Sequence, residues 1–298
     1  MKLPSLLNGI LIGVLAVLFL VGVTVLASQI FGKGGGVGWG TSQGKVGVVE
    51  IKGIISDSRT TLKQLDDFGD DPSIKAIVLR INSPGGAVGP SQEILREVEK
   101  IRRKKKVVAS LGTLAASGAY YIACGADLIM ADRGTATGSI GVVMEFTNVE
   151  GLTKKIGLDF FILKSGRYKD VGSPFRPMTP EEKEYMQHLL DNIYQQFLSD
   201  VARNRKIPLE KLRPLAEGRI YTGEEARQLG LVDVFGNLED AIEKAGRLGG
   251  IRGKVEAAYP PKESTLLRYL VGEDTEETLA NLTAFTYPQP AFLPPWFK

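Results

Sequence analysis

The sequence predicts an α/β fold built on a largely parallel sheet. Two observations carry this reading. From Val46 onward, short runs rich in β-branched residues alternate with runs of helical periodicity. Small and turn-forming residues cluster where the strand-like runs end. With 43% hydrophobic and 24% charged residues over 298 positions, the chain has an ordinary globular composition and room for one large or two small domains.

The elements follow in order. VGVVEIKGII (Val46–Ile55) predicts the first strand, and LKQLDDF (Leu62–Phe68) a helix. KAIVLRIN (Lys75–Asn82) predicts a second strand that ends in a turn, SPGG (Ser83–Gly86). SQEILREVEKIRR (Ser91–Arg103) is an amphipathic helix with Ile94, Val98 and Ile101 on one face. KVVASL (Lys106–Leu111) is a third strand, after which TLAASGAYYIAC (Thr113–Cys124) turns into a helix. ADLIMA (Ala126–Ala131) and LDFFILK (Leu158–Lys164) predict further strands, with GSIGVV (Gly138–Val143) between them after a turn-rich loop.

The C-terminal part is more helical. TPEE (Thr179–Glu182) is a capping box with proline at the first helical position, followed at helical spacing by Met186, Leu190, Ile193, Phe197 and Val201. TGEE (Thr222–Glu225) is a second capping box, and Gly230 a C-cap before LVDVFG. From Tyr259 prolines accumulate, ending in PQPAFLPPWFK, a tail that is loosely ordered or docks on something.

The N-terminal part differs. Nothing between Lys2 and Lys33 is charged, and Gly9–Ala27 is apolar over the length a membrane span needs, about 20 residues. A cleaved secretory signal is the alternative, and Val25-Leu26-Ala27 could serve as its cleavage site. Its apolar core would be shorter, however, at about 7–15 residues. The expectation is a retained anchor over 1–31, with the short tail cytoplasmic and the main domain extracytoplasmic. Residues 32–45 read as a Gly-rich linker.

Composition excludes several classes. A net charge of +3 gives no pull toward nucleic acid. A single cysteine, Cys124, rules out an internal disulfide and a cysteine-based metal site; its apolar surroundings read as those of a buried, inert thiol. GKGGGVG lacks the spacing and flanking strand of a phosphate loop.

One position invites chemistry. Ser117 lies among Ala115, Ala116, Gly118 and Ala119, the small residues that a sharp strand-to-helix turn around a nucleophile requires. An ordinary helix N-cap explains the same serine. A nucleophilic serine needs a base. The single histidine, His188, groups with Glu184, Asp191, Asn192 and Gln195 on the polar face of its helix, so it reads as a solvated surface residue. A lysine can replace it only when neutral, because an exposed ammonium has a pKa of about 10.4 and burial lowers it. The glycines of SPGG could offer backbone N–H groups to an oxyanion, or simply form a type II turn.

These pieces occur in a particular order: INSPGG, TLAASGAYYIAC, GSIGVV, KSGRYKDVGSPFRPMT and EGRIYTGEEARQLGLVD. The series resembles the signal peptide peptidase A family, membrane-anchored serine proteases with a Clp protease/crotonase-like fold. The resemblance runs from about Val46 to Leu248, and the apolar N-terminus matches as well.

It implies a Ser-Lys dyad of Ser117 and Lys169, with Ser139 orienting the lysine and the amides of Gly86 and Gly118 forming the oxyanion hole. Nothing local distinguishes Lys169 from Lys164 or Lys154, although Tyr168 and Val171 could help exclude water from it. The resemblance further implies a catalytic domain over 46–258, a C-terminal extension over 259–298, and no metal or cofactor. Implied partners are hydrophobic peptides left by signal-peptide cleavage, membrane lipid around the N-terminal helix, and further copies of the chain in a ring whose neighbours complete one another's sites. Three alternatives stand beside this reading: a Ser-Lys protease for one specific protein, a crotonase-type acyl-CoA enzyme, and a non-catalytic membrane scaffold.

Overall fold

The computed structural model describes residues 44–261 and 291–292. The expected anchor (1–31), the linker up to residue 43 and most of the extension lie outside the described residues. Among the described residues no helix is long and apolar enough to cross a membrane.

The elements in chain order are β1 (Lys45–Ile55), α1 (Arg59–Asp70), β2 (Ile74–Ala87), α2 (Val88–Ile101), β3 (Lys106–Ala116), α3 (Gly118–Ala123), β4 (Leu128–Ala131) and β5 (Ala136–Gly138). Then come α4 (Glu150–Lys155), α5 (Pro180–Arg205), α6 (Leu209–Leu212), a 3-10 turn (Arg213–Leu215), β6 (Ile220–Thr222) and α7 (Gly223–Gln228). The last are β7 (Val234–Phe235), α8 (Leu238–Leu248), β8 (Glu256–Ala258) and β9 (Ala291–Phe292).

Among the described residues one sheet holds all nine strands, with the path β6-β5-β3-β2-β1-β8 and with β4, β7 and β9 off it. The β1–β2, β2–β3, β3–β4, β3–β5 and β1–β8 pairs are parallel, as the alternation of elements predicted. Strand side chains alternate between faces, and each face has its own core. Ile77, Leu79 and Ile81 of β2 join Leu65 of α1, Ile94 and Val98 of α2, and Phe197 and Val201 of α5. Ala76 and Val78 of β2 face the other way, onto Ala241, Ile242 and Ala245 of α8. Burial on both faces is why these strands read as near-continuous apolar runs. Each fully buried Val, Leu or Ile contributes about 1.5–3 kcal/mol relative to exposure.

Both predicted capping boxes form. Thr179 accepts from the Glu182 amide and Thr222 from the Glu225 amide, and each glutamate carboxylate accepts in return from the threonine amide. Gly230 follows α7 at φ +78°, the left-handed conformation expected of a C-cap glycine.

Two expectations fail. SPGG is not a turn after β2 but its last part: Ile54 and Ile55 of β1 pair with Gly85 and Gly86. The ladder shifts register around Pro84, where proline could donate no bond. Leu158–Lys164 is not a strand either. Its apolar, strand-like composition is genuine, but Phe161 and Leu163 are 87% and 90% exposed, and among the described residues no strand pairs with it. The run packs through Phe160, whose ring stacks on Phe175 at 3.9 Å, but it has no strand partner among the described residues.

Candidate active site

β3 serves two neighbours, and the switch between them builds the site. Its first half pairs with β4 at Val108–Leu111, its last residues with β5 at Leu114–Ala116. On the β2 side the register jumps from Ile81–Leu111 to Ser83–Ala115. Asn82 spans the gap, its Oδ1 accepting from the Leu114 amide at 3.2 Å. Thr135 and Thr137 donate to the carbonyls of Gly112 and Ala115 at 2.8 and 2.6 Å. These bonds re-aim the end of β3 toward Ser117.

Ser117 adopts φ 56°, ψ −118°, a conformation that costs a non-glycine residue about 1–3 kcal/mol. The surroundings hold it there. Its amide donates to the Gly138 carbonyl, and its carbonyl accepts from the Tyr121 amide in the first turn of α3, both at 2.8 Å. Its side chain makes no capping bond, so the N-cap explanation does not hold. The hydroxyl is buried with no hydrogen-bond partner among the described residues. A buried polar atom left alone costs about 1–3 kcal/mol. Strain and an orphaned hydroxyl at one residue are what a poised nucleophile shows and a structural serine avoids.

Two tyrosines pin the helix that follows. Tyr120 donates to the Leu231 carbonyl at 3.0 Å, and Tyr121 donates to Asp200. Burial raises the pKa of both phenols, so they remain donors. Tyr121 also meets Phe197 edge-on at 4.7 Å between centroids. Cys124, at the end of the helix, is buried and donates its thiol to the Tyr121 carbonyl at 3.0 Å; burial raises its pKa, in line with an inert thiol.

The structure brings Ser117 and Ser139 to adjacent strand exits, each one residue past the Ala116–Gly138 pair. Ser139 is buried at φ 50° and its amide donates to the Arg219 carbonyl at 2.6 Å. Gly118 is buried as the first residue of α3. Gly86 is buried three residues beyond Ser83, the partner of Ala115. A Cβ there would stand 2.1 Å from the Ile55 carbonyl oxygen, so only glycine fits.

Lys169 stands apart. It is exposed, and no hydrogen bond joins it to Ser117. Tyr168 does not shield it: its ring stacks on Tyr185 of α5 at 4.9 Å and is itself exposed. The neighbouring Asp170 is clamped instead, by Lys164 at 2.5 Å and by Arg176 at 2.8 Å. Arg176 continues to Glu182 at 2.6 Å, inside the capping box of α5. The Arg176 guanidinium, helped by Lys164, holds the Asp170 carboxyl well below its usual range. The same guanidinium, with the Thr179 amide, lowers Glu182 to about 2. Sequence reading missed this chain of ion pairs. Its one visible signal was Glu182 as the acidic member of a capping box. His188 is exposed, as expected, beside Glu184 and Asn192.

Comparison with known proteins bears on this arrangement. Residues 99–252 match the model of peptidase family S49. A Synechocystis protein described as a protease is 42% identical over 246 residues, covering 81% of this chain and 88% of that one. An Enterococcus faecium protein named for signal peptide peptidase SppA is 35% identical over 218 residues, 68% of this chain and 63% of that one. The chloroplastic serine protease SPPA of Arabidopsis thaliana is 36% identical over 191 residues, 64% of this chain but 28% of its own length. The α/β chain with the strained serine at the end of β3 belongs to peptidase family S49, among the serine proteases of the signal peptide peptidase A type.

Proposed function

We propose that the protein is a membrane-anchored endopeptidase that hydrolyses apolar peptides, signal-peptide remnants among them, through an acyl-enzyme on Ser117. The observation that carries this is the buried, unpartnered Ser117 hydroxyl on a strained turn. Ser117 Oγ attacks the substrate carbonyl while a neutral lysine amine takes its proton. The oxyanion rests on the amides of Gly86 and Gly118, and the lysine returns the proton to the leaving amine. Water then releases the acyl group.

Lys169 is the base in this reading, and it reaches Ser117 of a neighbouring copy in a ring-like oligomer. Two features favour that arrangement. Lys169 is exposed and unbonded to its own Ser117. It follows an exposed apolar run, Leu158–Leu163, of the kind that marks contact surfaces. Residues 9–27 would anchor the chain in the membrane, with the described domain on the extracytoplasmic side.

Mixing two inactive variants tests the whole reading. Ser117→Ala and Lys169→Ala should each abolish hydrolysis of an apolar fluorogenic peptide. Co-assembled, they should regain part of it, because some sites would pair an intact serine with an intact lysine. Full activity of either variant alone would remove that residue from the mechanism. No recovery on mixing would place both groups in one subunit.

A further inference from the structure

Three lysines that the sequence leaves alike are separated by their partners. Lys154 pairs with Glu150 at 2.6 Å and Lys164 with Asp170 at 2.5 Å, while Lys169 forms no ion pair among the described residues. The loop around it repeats this pattern. Of the four cations between residues 164 and 176, Lys164 and Arg176 share the two oxygens of Asp170, and Arg167 pairs with Glu181 of α5. Lys164 also donates to the Arg167 carbonyl at 3.0 Å. Arg176 bonds the Asp170 carboxylate at 2.8 Å and the Asp170 carbonyl at 3.2 Å. Its remaining bonds go to the Pro177 carbonyl at 3.0 Å and to both Glu182 oxygens at 2.6 and 2.8 Å. From α5 there remain Glu184, Tyr185 and His188, which stand with Tyr168 around an open cleft.

The balance matters because Asp170 is the residue next to Lys169. An opposite charge nearby stabilises an ammonium. A lysine that brought its own carboxylate to a serine would keep its proton, and a protonated amine is no base. Here Asp170 and Glu182 face Lys164 and Arg176, two negative charges against two positive, so the cluster is neutral. Resting on the protease reading above, we infer that Lys164 and Arg176 are positioning residues for the reaction: they keep the Asp170 carboxylate to themselves, hold the backbone on either side of Lys169, and leave the base without a counter-charge.

The pH at half-height of the kcat/KM climb tests this, measured on the full-length chain with an apolar fluorogenic peptide. Asp170→Asn gives the cluster a net positive charge. It should lower the half-height by about half a pH unit, the effect of one charge about 6 Å away in water. Lys164→Gln gives a net negative charge, spares the Arg176–Glu182 link and should raise the half-height by a similar amount. The double variant also lacks the Lys164–Asp170 pair but is neutral again, so its half-height should return near the wild-type value. A loss of rate at every pH with the half-height unmoved would reduce the network to a tether and overturn the inference, as would single-variant shifts of one sign. Acetylation of Lys169 by a pulse of acetic anhydride, quantified by mass spectrometry at the same pH steps, reads the amine without turnover. Its onset should shift with the same opposite signs, and an unmoved onset would equally overturn the inference. Should the onset shift as expected while no form of the chain cleaves any peptide, the charge balance stands and the protease reading is the one that fails.

Discussion

Gly86 presses against Ile55 so closely that a Cβ on the glycine would meet the Ile55 carbonyl oxygen at 2.1 Å and the Ile55 amide nitrogen at 2.5 Å. Both are backbone atoms of a strand paired along most of its length, so neither can swing aside. Gly86→Ala must push the end of β2 off β1. Overpacking of this kind costs about 1–3 kcal/mol. In the proposed mechanism it also displaces an oxyanion donor, so turnover should fall by about a hundredfold. Thermal melting and kcat measure the two effects. Wild-type values for both would mean that the strand pair yields.

At Ser117, activity and stability should move in opposite directions. Ser117→Ala removes a buried hydroxyl that has no partner, so the urea midpoint should stay level or rise while hydrolysis disappears. Ser117→Gly should be more stable again, by about 1 kcal/mol, because φ 56° costs glycine little. A lowered midpoint in both variants would show that the hydroxyl supports the fold.

The ion-pair chain beside Lys169 sets an acid limit. Asp170 and Glu182 both have folded-state pKa values below their ordinary ones. Such groups add stability that is present above the unfolded pKa and lost as pH falls toward the folded value. The ordinary values are 3.8 and 4.5, so this contribution should fade from about pH 4.5 downward, to about 2 for Glu182. Arg176→Met removes the shared partner and should flatten the stability profile in that window. Urea midpoints at half-unit pH steps test it, and an unaltered slope would count against the network.

Proton transfer should follow an amine and not an imidazole. Since a lysine must shed its charge to act as a base, hydrolysis should climb from neutral toward alkaline pH. His188→Ala should leave both the rate and the shape of that profile nearly as they were. A variant that loses the climb would bring the exposed imidazole of α5 into the mechanism.

Much of this was legible in the chain. β-branched runs between helical ones gave the parallel sheet, since burial on both faces enforces apolar strands such as Lys75–Asn82. Thr179 and Thr222 announced their helix starts, because a capping box is a local arrangement that needs no tertiary partner. Ser117 was visible through its small neighbours, but its strain and its lack of a bonding partner come from β5 and α3, which are set by long-range pairing. Leu158–Lys164 misled for the complementary reason. A short apolar run states that a segment could be a strand, and only a partner makes it one. Lys169 was reached by resemblance alone. The loop that carries it is held by Asp170, Arg176 and Glu182, each six residues from the next, a spacing with no secondary-structure period to betray it.

The sealed sulfur of Cys124 has a practical use. It is the chain's one cysteine, it lies in the core, and burial keeps it from the thiolate form that alkylating reagents attack. The native protein should thus be silent toward maleimide dyes. A single cysteine placed at the outward-facing Leu163 would carry a fluorophore with no background label, and energy transfer between differently dyed copies would then test the proposed assembly directly.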